Sequence, residues 1–176
     1  MRRLSCLLAL TLLCGLIAPA FADSPQVGQV VPTYRLQDQN GHWHTPADFR
    51  GHWLVMYFYP KDFTPGCTTE VCTFRDDIAK LRKAGADVVG VSLDNVKSHA
   101  DFAAKYHVPF PLLSDADGAV ATTYGVLASH LGMHYAKRTT FLVDPQGKIA
   151  KVYVDVDPEK NSAQVMSDLT ALKAAP

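Results

Sequence analysis

The chain has 176 residues, with 17 Lys and Arg balanced by 17 Asp and Glu. A neutral chain with no basic cluster lacks the electrostatic footprint of a nucleic-acid binder. After the N-terminal stretch no apolar run reaches the ~20 residues that a spanning helix needs, and the length suits one domain with a sizeable core.

The chain opens Met1-Arg2-Arg3, runs apolar from Leu4 to Ala18, and reaches Ala20-Phe21-Ala22 after Pro19. A positive start, a short apolar stretch and a small-x-small site are the marks of a secretory signal peptide, with cleavage expected after Ala22. A membrane anchor is the competing reading: the uncharged stretch Leu4 to Ala22 is 19 residues long, but Pro19 and the cleavage site interrupt it. A lipid anchor on Cys14 is disfavoured, because Leu13 rather than a small residue precedes it. Residues 1–22 are therefore expected to leave, with 23–176 remaining as a single periplasmic or secreted domain. That domain has 154 residues and a net charge of −2 with histidine neutral. Cys6 and Cys14 leave with the signal, so Cys67 and Cys72 remain. In an exported protein, two cysteines five positions apart form either a local disulfide or a reactive pair.

In chain order, Tyr34-Arg35-Leu36 and His42-Trp43-His44 flank Asp38-Gln39-Asn40-Gly41 and predict a hairpin around an Asn-Gly turn. Trp53 to Tyr59 is a continuous apolar run, the pattern of a central strand covered on both faces, and Pro60 ends it. Val71, Phe74, Ile78 and Leu81 recur at helical spacing and predict a helix from about Thr68 to Ala84, stopped by Gly85. Asp87 to Leu93 predicts a second buried strand, Ser98 to Tyr106 a helix, Pro111 to Leu113 a short strand and Ala119 to Tyr124 a short helix. Thr139 to Val143 and Lys148 to Val154 predict a strand pair about the turn Asp144-Pro145-Gln146-Gly147. Ser162 to Leu172 predicts a closing helix. Strand–helix–strand units followed by a hairpin and a last helix imply an α/β fold with a mixed central sheet flanked by helices. This order matches a thioredoxin-like fold with an added N-terminal hairpin.

Chemistry is expected where the Trp53–Tyr59 strand hands over to the following helix, because open α/β sheets place their sites beyond the carboxyl ends of strands. Cys67 falls at or near the first helical turn. Unpaired N–H groups and the positive end of the helix dipole favour a thiolate there, and Arg138 is the candidate for a nearby cation. In a continuous helix, five residues rise ~7.5 Å and turn ~140°, which puts the Cα atoms of Cys67 and Cys72 roughly 8.7 Å apart. Cα atoms more than ~7 Å apart cannot be bridged without backbone movement. A bond between these cysteines would then require part of the helix to unwind, which suits a redox cycle better than a permanent staple. A stable local disulfide in a binding module remains open on spacing alone, as does a thiol–disulfide oxidoreductase, although the C-x-x-C spacing is absent. His42-x-His44, and His130-x-x-x-His134 if helical, have spacings found in metal sites. Cys-x₄-Cys is not a usual zinc spacing, and no metal is expected. No phosphate-cradling glycine loop occurs, and no cofactor is expected.

Pro60-x-x-x-Thr64-x-x-Cys67 resembles the peroxiredoxin signature Pro-x-x-x-Thr/Ser-x-x-Cys. Thr64-Pro65-Gly66-Cys67-Thr68 followed by Cys72 is similar to the bacterioferritin-comigratory, or peroxiredoxin Q, branch, and Lys137-Arg138-Thr139-Thr140 resembles the segment that carries the family's active-site arginine. The resemblance covers nearly all of 23–176. It implies a thiol-dependent peroxidase acting on hydrogen peroxide and organic hydroperoxides. Cys67 would be the peroxidatic nucleophile and Cys72 the resolving thiol that closes a Cys67–Cys72 disulfide. Arg138 would stabilise the thiolate and polarise the peroxide, Thr64 would hydrogen-bond it, and Pro60 would shield the site from water. Glu70, one turn after Cys67, either orients Arg138 or is an ordinary first-turn acid. Members of the branch are usually cytoplasmic or plastidic. An exported chain would need a thioredoxin-like reductant outside the cytoplasm. The resemblance also implies a monomer.

Overall fold

The structure, a computed structural model, describes residues 24–174; the expected signal peptide lies outside the described residues. Among them, no helix is long and apolar enough to cross a membrane.

The N-terminal hairpin pairs β1 (Leu36–Gln37) with β2 (Trp43–His44), Leu36 facing His44. Its turn is held by Asp38, whose Oδ1 accepts the N–H groups of Asn40 at 2.8 Å and His42 at 2.9 Å. There follow β3 (Trp53–Phe58), α1 (Pro65–Lys83), β4 (Ala86–Ser92), α2 (Val96–Tyr106), β5 (Leu112–Ser114), α3 (Ala119–Thr123), β6 (Leu127–His130), β7 (Met133–Ala136), β8 (Thr139–Val143), β9 (Ile149–Val154) and α4 (Asn161–Ala174). Seven strands form one mixed sheet in the order β2-β1-β5-β4-β3-β8-β9. β3, β4 and β5 run parallel, and β8 runs antiparallel to β3.

β3 is apolar throughout because both of its faces are covered. Val55, Tyr57 and Tyr59 point to one core with Val71, Phe74 and Leu81 of α1, Phe102 of α2, and Val165 and Leu169 of α4. Leu54, Met56 and Phe58 point to a second core with Val120, Tyr124 and Phe141. The two-residue side-chain period of a strand produces this split.

Three details depart from the sequence-based expectations. α1 starts at Pro65 instead of near Thr68. Proline has no N–H to lose and its φ suits the first helical position, so the residue read as a turn signal opens the helix. α2 likewise starts at Val96, because Asn95 caps it by accepting the Ser98 N–H at 2.9 Å. The third departure is β6–β7, a two-stranded hairpin within a stretch that the sequence pattern left unassigned. Its loop residues Leu131 and Gly132 have φ of 49° and 79°. Left-handed values at both positions make the tight turn whose twist suits a hairpin, but a leucine there carries no turn signal. His130 faces Met133 and His134 faces Ser129, so this pair lies on strands and lacks the helical metal spacing.

Gly90 pairs with Tyr57 across β3 and β4. A Cβ at Gly90 would lie 2.7 Å from the Tyr57 hydroxyl and 2.9 Å from Leu112 Cδ2, and both side chains are fully buried. Gly90→Ala is therefore expected to cost about 1–3 kcal/mol through overpacking, measured as a lower urea midpoint with an unchanged slope.

Candidate active site

β3 ends at Phe58, and the chain passes through residues 59–64 into α1. Thr64 is the extended residue before the helix, and its carbonyl accepts the Thr68 N–H at 2.9 Å. Cys67 is therefore the third helical residue, within the first turn, where backbone N–H groups lack intrahelical partners. Its side chain is buried.

The register of the sheet brings Arg138 to this end of α1. Thr139, the first residue of β8, sits opposite Phe58, the last of β3. Arg138 thus emerges beside the point where the chain leaves β3, and its Nη2 donates to Cys67 Sγ at 3.3 Å. Gly66 leaves room for it: a Cβ there would lie 3.2 Å from Nη2.

The other end of the guanidinium is paired with Glu70, where Nη1 meets the carboxylate Oε2. Glu70 is 0% exposed. Its Oε1 accepts from Asn161 Nδ2 at 2.8 Å, and the same nitrogen donates to Thr140 Oγ1 at 2.7 Å. Burial and pairing pull Glu70 in opposite directions. Burial is the larger influence and pushes its carboxyl up to about 7, against the opposing pull of Arg138 and Asn161. Burial also works against the charge on Arg138, but Glu70 and Cys67 outweigh it and hold the guanidinium above its ordinary value. Sequence reasoning left Glu70 between two readings, and the structure makes it the partner of Arg138. Asn161 is 91 residues from Glu70 in sequence, and no local pattern marks it.

The loop before α1 is clamped from below. Asp62 is buried, and its Oδ1 accepts from the Tyr59 hydroxyl at 2.8 Å. Its Oδ2 accepts from Ser98 Oγ at 2.7 Å and faces His99 Nδ1 at 3.0 Å. The Asp62 N–H donates to Asp94 Oδ2 at 2.8 Å. These contacts tie the Pro60–Thr64 segment to the start of α2, and Phe63 takes a left-handed φ of 61° within it. The Thr64 hydroxyl donates to the Lys61 carbonyl at 2.9 Å, which leaves its lone pairs as acceptors towards the helix entrance.

The sequence-selected residues are thus gathered on one loop–helix corner. Pro60 and Thr64 lie in the loop, Cys67 on the first turn, and Arg138 across from it. Cys72 lies on the same helix, both cysteines are free thiols, and Cys72 is only partly buried. Beside Pro60 runs a groove of about 480 Å³ walled by Leu93, Met133 and Tyr135, with Lys61 and His134 at its polar edge.

Comparisons with known proteins bear on the family of the chain. The model of the AhpC/TSA family matches residues 27–152. A Coxiella burnetii protein described as a putative peroxiredoxin bcp is 43% identical over 150 residues, covering 83% of this chain and 99% of that protein. The crystal structure of peroxidoxin BcpB from Mycobacterium tuberculosis has a TM-score of 0.79 at 34% identity, covering 84% of this chain and 98% of that one. Bacterioferritin comigratory protein of Xanthomonas campestris, studied for its alkyl peroxide reduction activity, has a TM-score of 0.74 at 38% identity, covering 79% of this chain and 91% of that one. With a matching family model, relatives similar over nearly their whole length and a shared thioredoxin-like architecture, the chain belongs to the AhpC/TSA family, in its bcp and peroxiredoxin Q branch.

Proposed function

We propose that this chain is a thiol-dependent peroxidase in which Cys67 reduces hydrogen peroxide and organic hydroperoxides and Cys72 resolves the oxidised sulfur. The observation that carries the proposal is the Arg138 guanidinium 3.3 Å from Cys67 Sγ on the first turn of a helix. The thiolate attacks one peroxide oxygen, the O–O bond breaks, and the departing hydroxide or alkoxide takes up a proton. Negative charge develops on that leaving oxygen, and a fixed cation beside it lowers the barrier. Thr64, three residues before Cys67, orients the peroxide by accepting its O–H, and Pro60 shields the sulfur from water. The groove beside Pro60 offers apolar walls to the organic group of a larger hydroperoxide. No resident cofactor or metal takes part in this scheme.

The product is a Cys67 sulfenic acid, which condenses with a thiol to a disulfide and releases water. Cys72 supplies that thiol at high effective concentration. Helix geometry places the two Cα atoms roughly 8.7 Å apart, beyond the ~7 Å that a disulfide spans without backbone movement. The segment between them therefore unwinds when the bond forms. A dithiol protein of thioredoxin type then reduces the disulfide and is itself oxidised. The signal-like residues 1–22 support export, so the proposed reductant works outside the cytoplasm, on a monomeric enzyme serving antioxidant defence.

Cys67→Ser is expected to abolish reductant-dependent peroxide consumption. Cys72→Ser is expected to form a sulfenic acid, trapped by dimedone and seen by mass spectrometry, without disulfide-dependent recycling. Full activity in Cys67→Ser would refute the assignment. On oxidation of the unsubstituted protein, the amides of residues 67–72 are expected to lose their hydrogen-exchange protection while the rest of α1 keeps it; unchanged protection across the cysteine pair would rule out unwinding. The exported protein is expected to begin at Asp23 by intact mass, and a retained residue 1–22 segment would remove the cleaved-signal reading.

A further inference from the structure

Asn161, the first residue of α4, is how that helix reaches the active site. Its side chain is fully buried. Its Nδ2 donates to Glu70 Oε1 at 2.8 Å and to Thr140 Oγ1 at 2.7 Å, while its Oδ1 has no hydrogen-bond partner among the described residues. A buried carbonyl without a partner is unfavourable, so satisfying Asn161 itself does not explain this arrangement. Flipping the amide would turn Oδ1 onto the Glu70 carboxylate, replacing a donor with a repelling acceptor. In this orientation the amide offers its donor to the Glu70 carboxylate.

We propose that Asn161 is a positioning residue that keeps Glu70 anionic and thereby divides the charge of Arg138 between the Glu70 carboxylate and the Cys67 sulfur. The inference rests on Cys67 being the reacting sulfur.

Among the described residues, few groups face Glu70. Arg138, just before β8, and Asn161 of α4 meet the carboxylate, and Tyr57 of β3 lies close enough to feel its charge; Cys67 is three residues earlier on the same helix, and Thr140 of β8 reaches the cluster through Asn161. Burial pushes the Tyr57 phenol well above its ordinary value, so it stays neutral and contributes no charge. Arg138 and Asn161 both favour the carboxylate form of Glu70 against the effect of burial. They do so differently. Arg138 brings a full charge that Cys67 also feels, whereas Asn161 is a neutral donor whose ionisable partner is Glu70 and whose other contact is the Thr140 hydroxyl. Without the Asn161 N–H, Glu70 holds its proton to higher pH. A protonated Glu70 neither competes for Arg138 nor repels the sulfur's negative charge, so the Cys67 thiolate gains. This sign identifies the mechanism. Loosened packing around α4 would displace Arg138 and leave the sulfur with less positive charge, not more.

The test reads thiolate directly and needs no peroxide. In reduced protein carrying Cys72→Ser, alkylation of Cys67 by iodoacetamide is followed against pH, with the labelled residue confirmed by mass spectrometry and folding by circular dichroism. Asn161→Leu is expected to raise the alkylation rate about threefold near neutral pH, and Glu70→Gln to raise it similarly. Combining the two is expected to match Glu70→Gln alone, because Asn161 then has no ionisable partner to act through. If Asn161→Leu does not fold, Asn161→Ala removes the same donor without added bulk and is read in the same way. An unchanged or lower rate in the Asn161 variants, or an additional effect in the Glu70→Gln background, would overturn the proposal. Peroxide consumption that does not depend on Cys67 would instead remove Cys67 as the reacting sulfur, whatever the alkylation rates show.

Discussion

One guanidinium shared between a buried carboxylate and a sulfur is the contact around which this site is arranged. Arg138 touches Cys67 with one nitrogen and Glu70 with another. A buried ion pair is stabilising only when geometry and further hydrogen bonds compensate for lost hydration, and the surrounding elements supply both. β8 fixes the base of Arg138 by pairing Thr139 with Phe58. α4 closes over Glu70 with Asn161. Gly66, having no Cβ, lets the guanidinium lie close to the first turn of α1. Since a one-residue slip turns every strand side chain to the opposite face, the β3–β8 register is as much a part of the site as the arginine.

α1 meets two demands. At its N-terminus it must be ordered, since the helix end and Arg138 together present positive potential to Cys67. Beyond the cysteine pair, Phe74 and Leu81 anchor it in the core, which fixes how far any local opening can spread. The first turns add polar ties to this packing: Glu70 through Arg138 and Asn161, and Thr73 through its hydroxyl to the Pro158 carbonyl at 3.3 Å. The helix is thus packed into the core along its length, and its first turns are tied by polar contacts as well. In the proposed cycle the part between the cysteines carries one core anchor, Val71, so opening it also withdraws that side chain from the core.

Much of this was legible in the sequence because it is local. The apolar run of β3, the helical spacing of Val71, Phe74 and Leu81, and the hairpin around Asn40-Gly41 each state their structure within a few residues. The loop–helix corner of the candidate site was legible for the same reason, since Pro60, Thr64 and Cys67 share one short segment. Arg138 was reachable only by resemblance and by its place beside a strand. What escaped was long-range or chemically silent. Nothing near Asn161 signals a partner on α1, and Glu70 could be given its role only once a cation was placed against it. Asp62 and His99 meet through a loop fold that no periodicity encodes. The Leu131-Gly132 turn was missed because leucine rarely occupies a left-handed position, and proline in first position disguised the start of α1 as a turn.

Placing both cysteines on one helix has a consequence for electron transfer. If forming the disulfide requires the first turns of α1 to open, the free energy of those turns enters the redox equilibrium. Each stabilisation of the closed helix by ~1.4 kcal/mol would raise the reduction potential of the pair by ~30 mV. Contacts that never touch a sulfur, such as Thr73 to Pro158, would then help to decide which dithiol proteins are reducing enough to regenerate the enzyme. Helix stability and choice of reductant become a single quantity.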